Sequence, residues 1–391
     1  MFHFPRVEHY SPGEVFHYPS YTTLTQKVIG WMHMRYVIED KRYRFRSAFD
    51  METGAYVRTG ILDEKGRDTG VDPFMASFPH LIDVGVMGSC AHGKTGLCVK
   101  AGIGCYQSGL TVQQPDMSVE DFAWIARQCS RRCNQLALGG RGDPDQHAHF
   151  EELLRISREN LLVPNFTTSG YGLTPELAQI CRRYCGAVAV SWYRSPYTLA
   201  SIEMLLDAGV RTNVHYVLGR NSIDEALQRL EDDDFPEGVN AVIFLLHKPA
   251  GQGSAGNVLA PDDPRVAAFF AQVDRPHRFK VGMDSCCVPG ALNHCANIAP
   301  ESLDTCEGGR FSCYVSPDLV MVPCSFDQRR RYGVQLGEDM DIARAWNSEP
   351  FEAFRAHLHG ACPACAQREA CMGGCPLMPE IVLCDRLERM G

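Results

Sequence analysis

Between Leu81 and Leu246, apolar segments with strand patterning alternate with amphipathic helical segments, and this alternation constrains the fold more than any other feature of the chain. "LIDVGVM" reads as a buried strand, and "SVEDFAWIARQCSRRC" as a helix capped by Ser118 with acids in its first turn. "QLALGG", "LVPNFTTSG", "AVAVSWY", "RTNVHYVLG" and "NAVIFLL" read as further strands. Between them "HFEELLRISREN", "TPELAQICRRYC", "TLASIEMLLDAG" and "SIDEALQRLEDD" read as helices. Thr174 and Pro175 open the second of these, and Gly209 closes the third. Six strands in alternation with five helices predict an α/β fold on a parallel sheet with right-handed crossovers, either doubly wound or a barrel. Upstream, "YRFRSAFDMETGAYVRTGILDE" reads as strand pieces around a turn. After about residue 283 the rhythm stops and cysteine spacing takes over, which predicts a domain boundary.

The chain has 391 residues, 45% apolar and 22% charged, an ordinary composition for a folded protein of two or three domains. A net charge of -9 offers no basic footprint for nucleic acid or for an anionic membrane. No apolar run approaches the roughly 18 residues that a bilayer span requires. The start, "MFHFPRVEHYSPGEVFHYPS", has no apolar h-region or cleavage site, so a cytoplasmic location is expected. In a reducing compartment the 18 cysteines point to metal binding or redox chemistry rather than disulfides. Three lie at Cys90, Cys98 and Cys105, six between Cys286 and Cys324, and five between Cys362 and Cys384. The pairs Cys129/Cys133 and Cys181/Cys185 have the spacing of one helix face and read as packing.

"CPACAQREACMGGCPLMPEIVLC" spaces its thiols C-x2-C-x5-C-x3-C-x8-C, with glycines and a proline that let the backbone wrap closely around an ion or cluster. Tetrahedral sulfur sites take zinc or iron–sulfur clusters. Cys306, Cys313 and Cys324 upstream bring the count to eight, the number that two four-cysteine clusters require.

This arrangement resembles the SPASM domain of radical S-adenosylmethionine peptide-modifying enzymes, over about the last 90 residues. The resemblance implies two auxiliary [4Fe-4S] clusters, one on Cys306, Cys313, Cys324 and Cys375, the other on Cys362, Cys365, Cys371 and Cys384. The family's glycine five residues before the Pro-Cys cysteine is Leu319 here, and Cys286, Cys287 and Cys295 exceed the pattern, as alternative ligands, a substrate-facing thiol or, first of the three readings, packing. The resemblance further implies that residues 81–283 form a partial (β/α)6 barrel, that 284–391 form the SPASM domain, and that 1–80 form a small β-rich extension able to dock substrate.

In such barrels the loop after the first strand holds a third [4Fe-4S] cluster on three cysteines and leaves one iron for S-adenosylmethionine. By this resemblance Cys90, Cys98 and Cys105 are the ligands, although C-x7-C-x6-C departs from the usual C-x3-C-x2-C. Glycines 93, 96, 102 and 104 supply positive-φ freedom to the longer loop. The contacts implied for S-adenosylmethionine are Tyr106, Gly140, Gly142 and Asp143 of "LGGRGDP", Ser169, Ser191, His215 and Leu246. The family's activity is reductive cleavage of S-adenosylmethionine to a 5′-deoxyadenosyl radical, which takes hydrogen from a peptide. The resemblance therefore implies a maturase of a ribosomally made peptide, forming a thioether or C–C crosslink, with a cysteine-bearing precursor an attractive substrate. A flavodoxin- or ferredoxin-type donor would supply the electron. The alternatives are an anaerobic sulfatase-maturating enzyme, whose acid after the Pro-Cys cysteine is Ser325 here with Asp327 two further on, and a non-catalytic iron–sulfur or zinc protein.

Overall fold

The computed structural model describes residues 35–298, 303–360, 362 and 364–384. The stretch 1–20 read above for targeting lies outside them. β1 (Arg35–Asp40), β2 (Phe45–Asp50) and β3 (Tyr56–Arg58) form an antiparallel sheet of their own. The turn expected between the last two closes on Asp50, whose carboxylate accepts the backbone N–H groups of Glu52 and Thr53.

The alternating region forms the predicted parallel strands: β4 (Leu81–Met87), β5 (Gln135–Gly140), β6 (Val163–Thr168), β7 (Val188–Ser191), β8 (Thr212–Leu218) and β9 (Ala241–Leu246). Each pairs in parallel with the next. The caps are those the sequence specifies. Ser118 accepts from the Asp121 N–H at 3.0 Å, and Thr174 caps the helix Pro175–Tyr184 from Leu177. Two helices end early, however. Val119–Cys129 stops before Cys133 because Arg131 takes a left-handed φ of 62°, and Cys185 is already extended beyond Tyr184. Neither cysteine pair therefore lies on one helix face. The thiols still meet, Cys129 with Cys133 and Cys181 with Cys185, as buried packing.

The sheet extends beyond the six expected strands. β10 (Lys280–Met283) adds a seventh parallel strand beside β9. On the opposite edge the chain returns after residue 303: β11 (Ser312–Val315) pairs in parallel with β4, followed antiparallel by β12 (Val320–Val322) and β13 (Val334–Gln335). The order is β10-β9-β8-β7-β6-β5-β4-β11-β12-β13, so β4 is an interior strand and the barrel is left open.

Alternation along the strands sorts the two faces. Ile82, Val84 and Val86 of β4, Val214 and Tyr216 of β8, and Val242 and Phe244 of β9 enter the main core under the helices. The opposite face is polar, with Asn165 donating to Gln135 and Thr167 sharing a hydrogen bond with His215. The extension is fastened to the C-terminal region by Arg58, only 3% exposed at its side chain, which pairs with Asp72, Asp304 and the buried Glu307. Arg310 adds hydrogen bonds to the carbonyls of Pro73 and Phe74, and Trp346 donates to that of Ala76. Removing one member of a buried ion network strands the others without a counter-charge. Arg58→Ala is expected to cost about 3 kcal/mol in anaerobic urea unfolding. Arg46→Ala, at the exposed Arg46–Glu39 pair, should cost under about 1 kcal/mol.

Candidate functional site

The loop after β4 shows how a stretched cysteine spacing is accommodated. Between Cys90 and Cys98 the chain makes a helical turn, His92–Thr95, reverses at Gly96 (φ 62°), and makes a second turn, Leu97–Lys100, that contains Cys98. Gly102 (φ 74°) then turns the chain toward Cys105. Gly104 serves a different purpose from the one expected of it. Its φ is ordinary, and a Cβ there would lie 2.4 Å from the Gln252 carbonyl, so the requirement is close approach to the loop after β9. The Gln252 N–H clasps that contact by donating to the Cys105 carbonyl at 2.9 Å.

The three thiols are brought together. The Gly109 N–H points at the Cys105 sulfur at 3.4 Å, and a Cβ on Gly109 would lie 3.1 Å from Cβ of Cys90. Cys98 and Cys105 both lie within electrostatic range of Cys90. Burial pushes the Cys90 thiol up to about 11, so it keeps its proton at neutral pH unless a metal displaces it. Among the described residues, no three thiols, imidazoles or carboxylates are gathered tightly enough to grip a single metal ion.

Beside the loop, at the C-terminal ends of β5 and β6, stands a hydrogen-bonded trio. Ser169 donates to Asp143 Oδ2 at 2.5 Å, and His92 Nε2 lies 2.9 Å from both that oxygen and the Ser169 hydroxyl. The Ser169 N–H also donates to Asp143 Oδ1 at 3.1 Å. Gly142 lets this loop press on the thiol loop, since a Cβ there would sit 2.4 Å from the Ser89 carbonyl. Gly140, at φ 119°, crosses just as close to Met87. His92 was not marked by the sequence: only its place inside the long Cys90–Cys98 interval hints at a role.

The remaining expected contacts divide. Ser191 and His215 are register partners on the inner face, and burial lowers His215 to about 3, so its ring is neutral. Tyr106 packs its ring on Phe326 at 4.4 Å, which ties the thiol loop to the turn after Cys324. Leu246 departs from expectation. It shares the face of Val242 and Phe244 in the helix-side core, and alternation gives the inner face to the half-buried Leu245.

Asp145 is a further buried carboxyl of this loop. Burial first, and the Asp143 charge second, raise it to about 7. An unfolded chain would release that proton near the ordinary 3.8. Stability should therefore fall as pH rises from about 4 to 7 and stay low above, by on the order of 2–4 kcal/mol. Asp145→Asn is expected to melt higher than the parent protein at pH 8 and no higher at pH 4, as followed by circular dichroism.

The C-terminal thiols form two groups. Cys362, Cys365, Cys371 and Cys384 line one cleft of about 410 Å³. Cys306 and Cys324 adjoin across Gly308: a Cβ there would lie 3.6 Å from the Cys306 sulfur and 3.5 Å from Cβ of Cys324. Leu319, at the family's glycine position, adopts a left-handed φ of 60°. Cys313 does not join this group. On β11 it shares the face of Ile82, its register partner, and lies within electrostatic range of Cys133 in the helix-side core. Cys286 takes its place. It hydrogen-bonds Cys375 and lies within electrostatic range of Cys306 and Cys324. The buried Lys248 ammonium, paired with Asp284 and 4.8 Å over the Phe326 ring, adds a positive charge beside them.

Residues 306–372 match the SPASM family, described as an iron-sulfur cluster-binding domain. Among solved structures, Streptococcus suis SuiB bound to S-adenosylmethionine is 14% identical, covering 80% of this chain and 78% of that one, with a TM-score of 0.59. SuiB bound to its precursor peptide SuiA is 12% identical, covering 90% of this chain and 100% of that one, at 0.64. Native anSMEcpe with bound AdoMet is 15% identical, covering 76% of this chain and 89% of that one, at 0.54. No curated protein matches the sequence. The chain thus shares the α/β fold of SuiB and anSMEcpe and carries a SPASM match over residues 306–372. No helix among the described residues is long and apolar enough to cross a membrane.

Proposed function

We propose that the protein is a cytoplasmic radical S-adenosylmethionine maturase that crosslinks a ribosomally made peptide through a thioether or C–C bond. The observation that carries this reading is the convergence of Cys90, Cys98 and Cys105 beside the Asp143–Ser169–His92 trio, at the C-terminal ends of a parallel sheet. Peptide substrates suit it because SuiB binds a precursor peptide on the same fold. The all-thiol donor sets fit iron–sulfur clusters. Cys90, Cys98 and Cys105 would hold the catalytic one; Cys286, Cys306, Cys324 and Cys375 a second; and Cys362, Cys365, Cys371 and Cys384 a third. Bound there, the catalytic cluster would supply the electron for reductive cleavage of S-adenosylmethionine.

The chain's own residues bind and orient. Asp143, fixed at both oxygens, presents a carboxylate suited to the cofactor's ammonium, and His92 and Ser169 hold it in place. Gly140 and Gly142 open the backbone beside it, Ser191 and neutral His215 would contact the cofactor from the inner wall, and Tyr106 braces the loop. The neutral trio of Asn165, Thr167 and His215 lines a polar interior without placing a second charge there. A flavodoxin- or ferredoxin-type protein would deliver the electron. The sulfatase-maturating alternative is less well served: Asp327, the acid nearest Cys324, already accepts the backbone N–H groups of Arg331 and Tyr332.

Replacing Cys90, Cys98 and Cys105 together by alanine is expected to abolish 5′-deoxyadenosine formation while leaving about two-thirds of the iron. Unchanged cleavage in that variant would refute the assignment. Among single variants, Cys286→Ala should lose about one third of the iron and Cys313→Ala none. The reverse result would restore Cys313 as the ligand.

A further inference from the structure

A second cleft, of about 350 Å³, opens between the segment after Cys105 and the turn after Cys324. Gln107, Arg141, Tyr314, Val320, Val322 and Ser325 are among the residues that line it. The Tyr106–Phe326 stack stands next to it, so the cleft lies between two of the three thiol groups.

Its polar inventory is unbalanced. Asp318 neutralises Arg330 through two hydrogen bonds of 2.6 and 2.7 Å, and Asp327 is engaged by backbone N–H groups. Arg141 has no such partner: no carboxylate among the described residues pairs with it, and its Nε is buried without an acceptor. The Gln107 amide nitrogen, on a residue only 3% exposed, makes no well-formed hydrogen bond although the Tyr106 and Tyr314 hydroxyls are near. A buried guanidinium N–H and a buried amide N–H, on two residues that line one cavity, call for an acceptor. A carboxylate meets both, taking one donor at each oxygen. The Val320 and Val322 side chains suit the methylenes of a side chain carrying it.

We propose that this cleft binds an acidic side chain of the peptide substrate, through Arg141 and Gln107. The inference rests on the maturase reading for its ligand, but not for the pocket's chemistry. It makes the substrate a peptide with Asp or Glu at a fixed distance from the modified residue.

The test uses the full chain, reconstituted with iron under anaerobic conditions and incubated with a degenerate octapeptide library carrying one fixed cysteine. Retained peptides are sequenced by mass spectrometry. Asp or Glu is expected to be enriched about tenfold at one offset from the cysteine, the worth of a charge-assisted pair. Arg141→Met should bring that enrichment to the input level, Arg141→Lys should keep part of it, and Gln107→Leu should reduce it. Iron content reports that each variant has folded, and equilibrium dialysis reports S-adenosylmethionine affinity. No acid enrichment with the parent protein, or enrichment that survives Arg141→Met, would overturn the proposal. So would loss of S-adenosylmethionine binding in Arg141→Met with acid enrichment intact, which would assign the guanidinium to the cofactor's own carboxylate. Cleavage of S-adenosylmethionine without acid enrichment would sink the pocket alone. Acid enrichment in a protein that holds no iron would leave the pocket standing and refute the maturase reading.

Discussion

The structure depends on β4 being hydrogen-bonded along both edges, to β5 on one side and β11 on the other. An outer strand could deliver its loop to only one neighbour. An interior one fixes the thiol loop after Met87 against the β5 loop and against the hairpin that leads to Cys324. The packing is tight enough to exclude a side chain at Gly85, where a Cβ would lie 2.3 Å from the Tyr314 hydroxyl. The cysteine-rich C-terminal region is thereby part of the same sheet as the barrel, and the distance between their thiol groups is set by strand register rather than by a linker.

Buried charge is placed where these parts join. Arg58 and Arg310 fasten the extension to the segment around Cys306, with Arg58 also lying 4.3 Å over the Phe311 ring. Lys248 and Asp284 tie the end of β9 to the turn that carries Cys286 and Cys287. Such pairs cost desolvation and are strongly directional, so they specify one docking arrangement more than they add stability. Both sit beside thiol groups, where a shift in docking would move the ligands.

The strands and helix caps of the barrel were legible because periodicity and capping are local. What escaped was set at a distance. β11 is four residues long, and its pairing with β4 bridges more than 200 residues of sequence, which no local pattern encodes. The same pairing decides the fate of Cys313: its neighbours in sequence suggest a ligand, while the pleat turns it into the core with Ile82. Cys286 is the converse, one of three thiols in excess of the family pattern, which the fold carries to Cys375. Leu246 and Leu245 differ by one position, and one position is enough to exchange the faces of a strand. His92 and Asp143 are 51 residues apart and meet only because two loops leave the same end of the sheet.

The central claim is that eleven thiols serve three separate clusters. Mössbauer spectroscopy and sulfide analysis of the intact protein, grown on ⁵⁷Fe and purified without oxygen, test it most directly. The account predicts about twelve irons and twelve sulfides per chain, all in [4Fe-4S] form, with one cluster's spectrum changing when S-adenosylmethionine is added. A colourless protein holding zinc, or an iron spectrum that S-adenosylmethionine leaves unchanged, would contradict it.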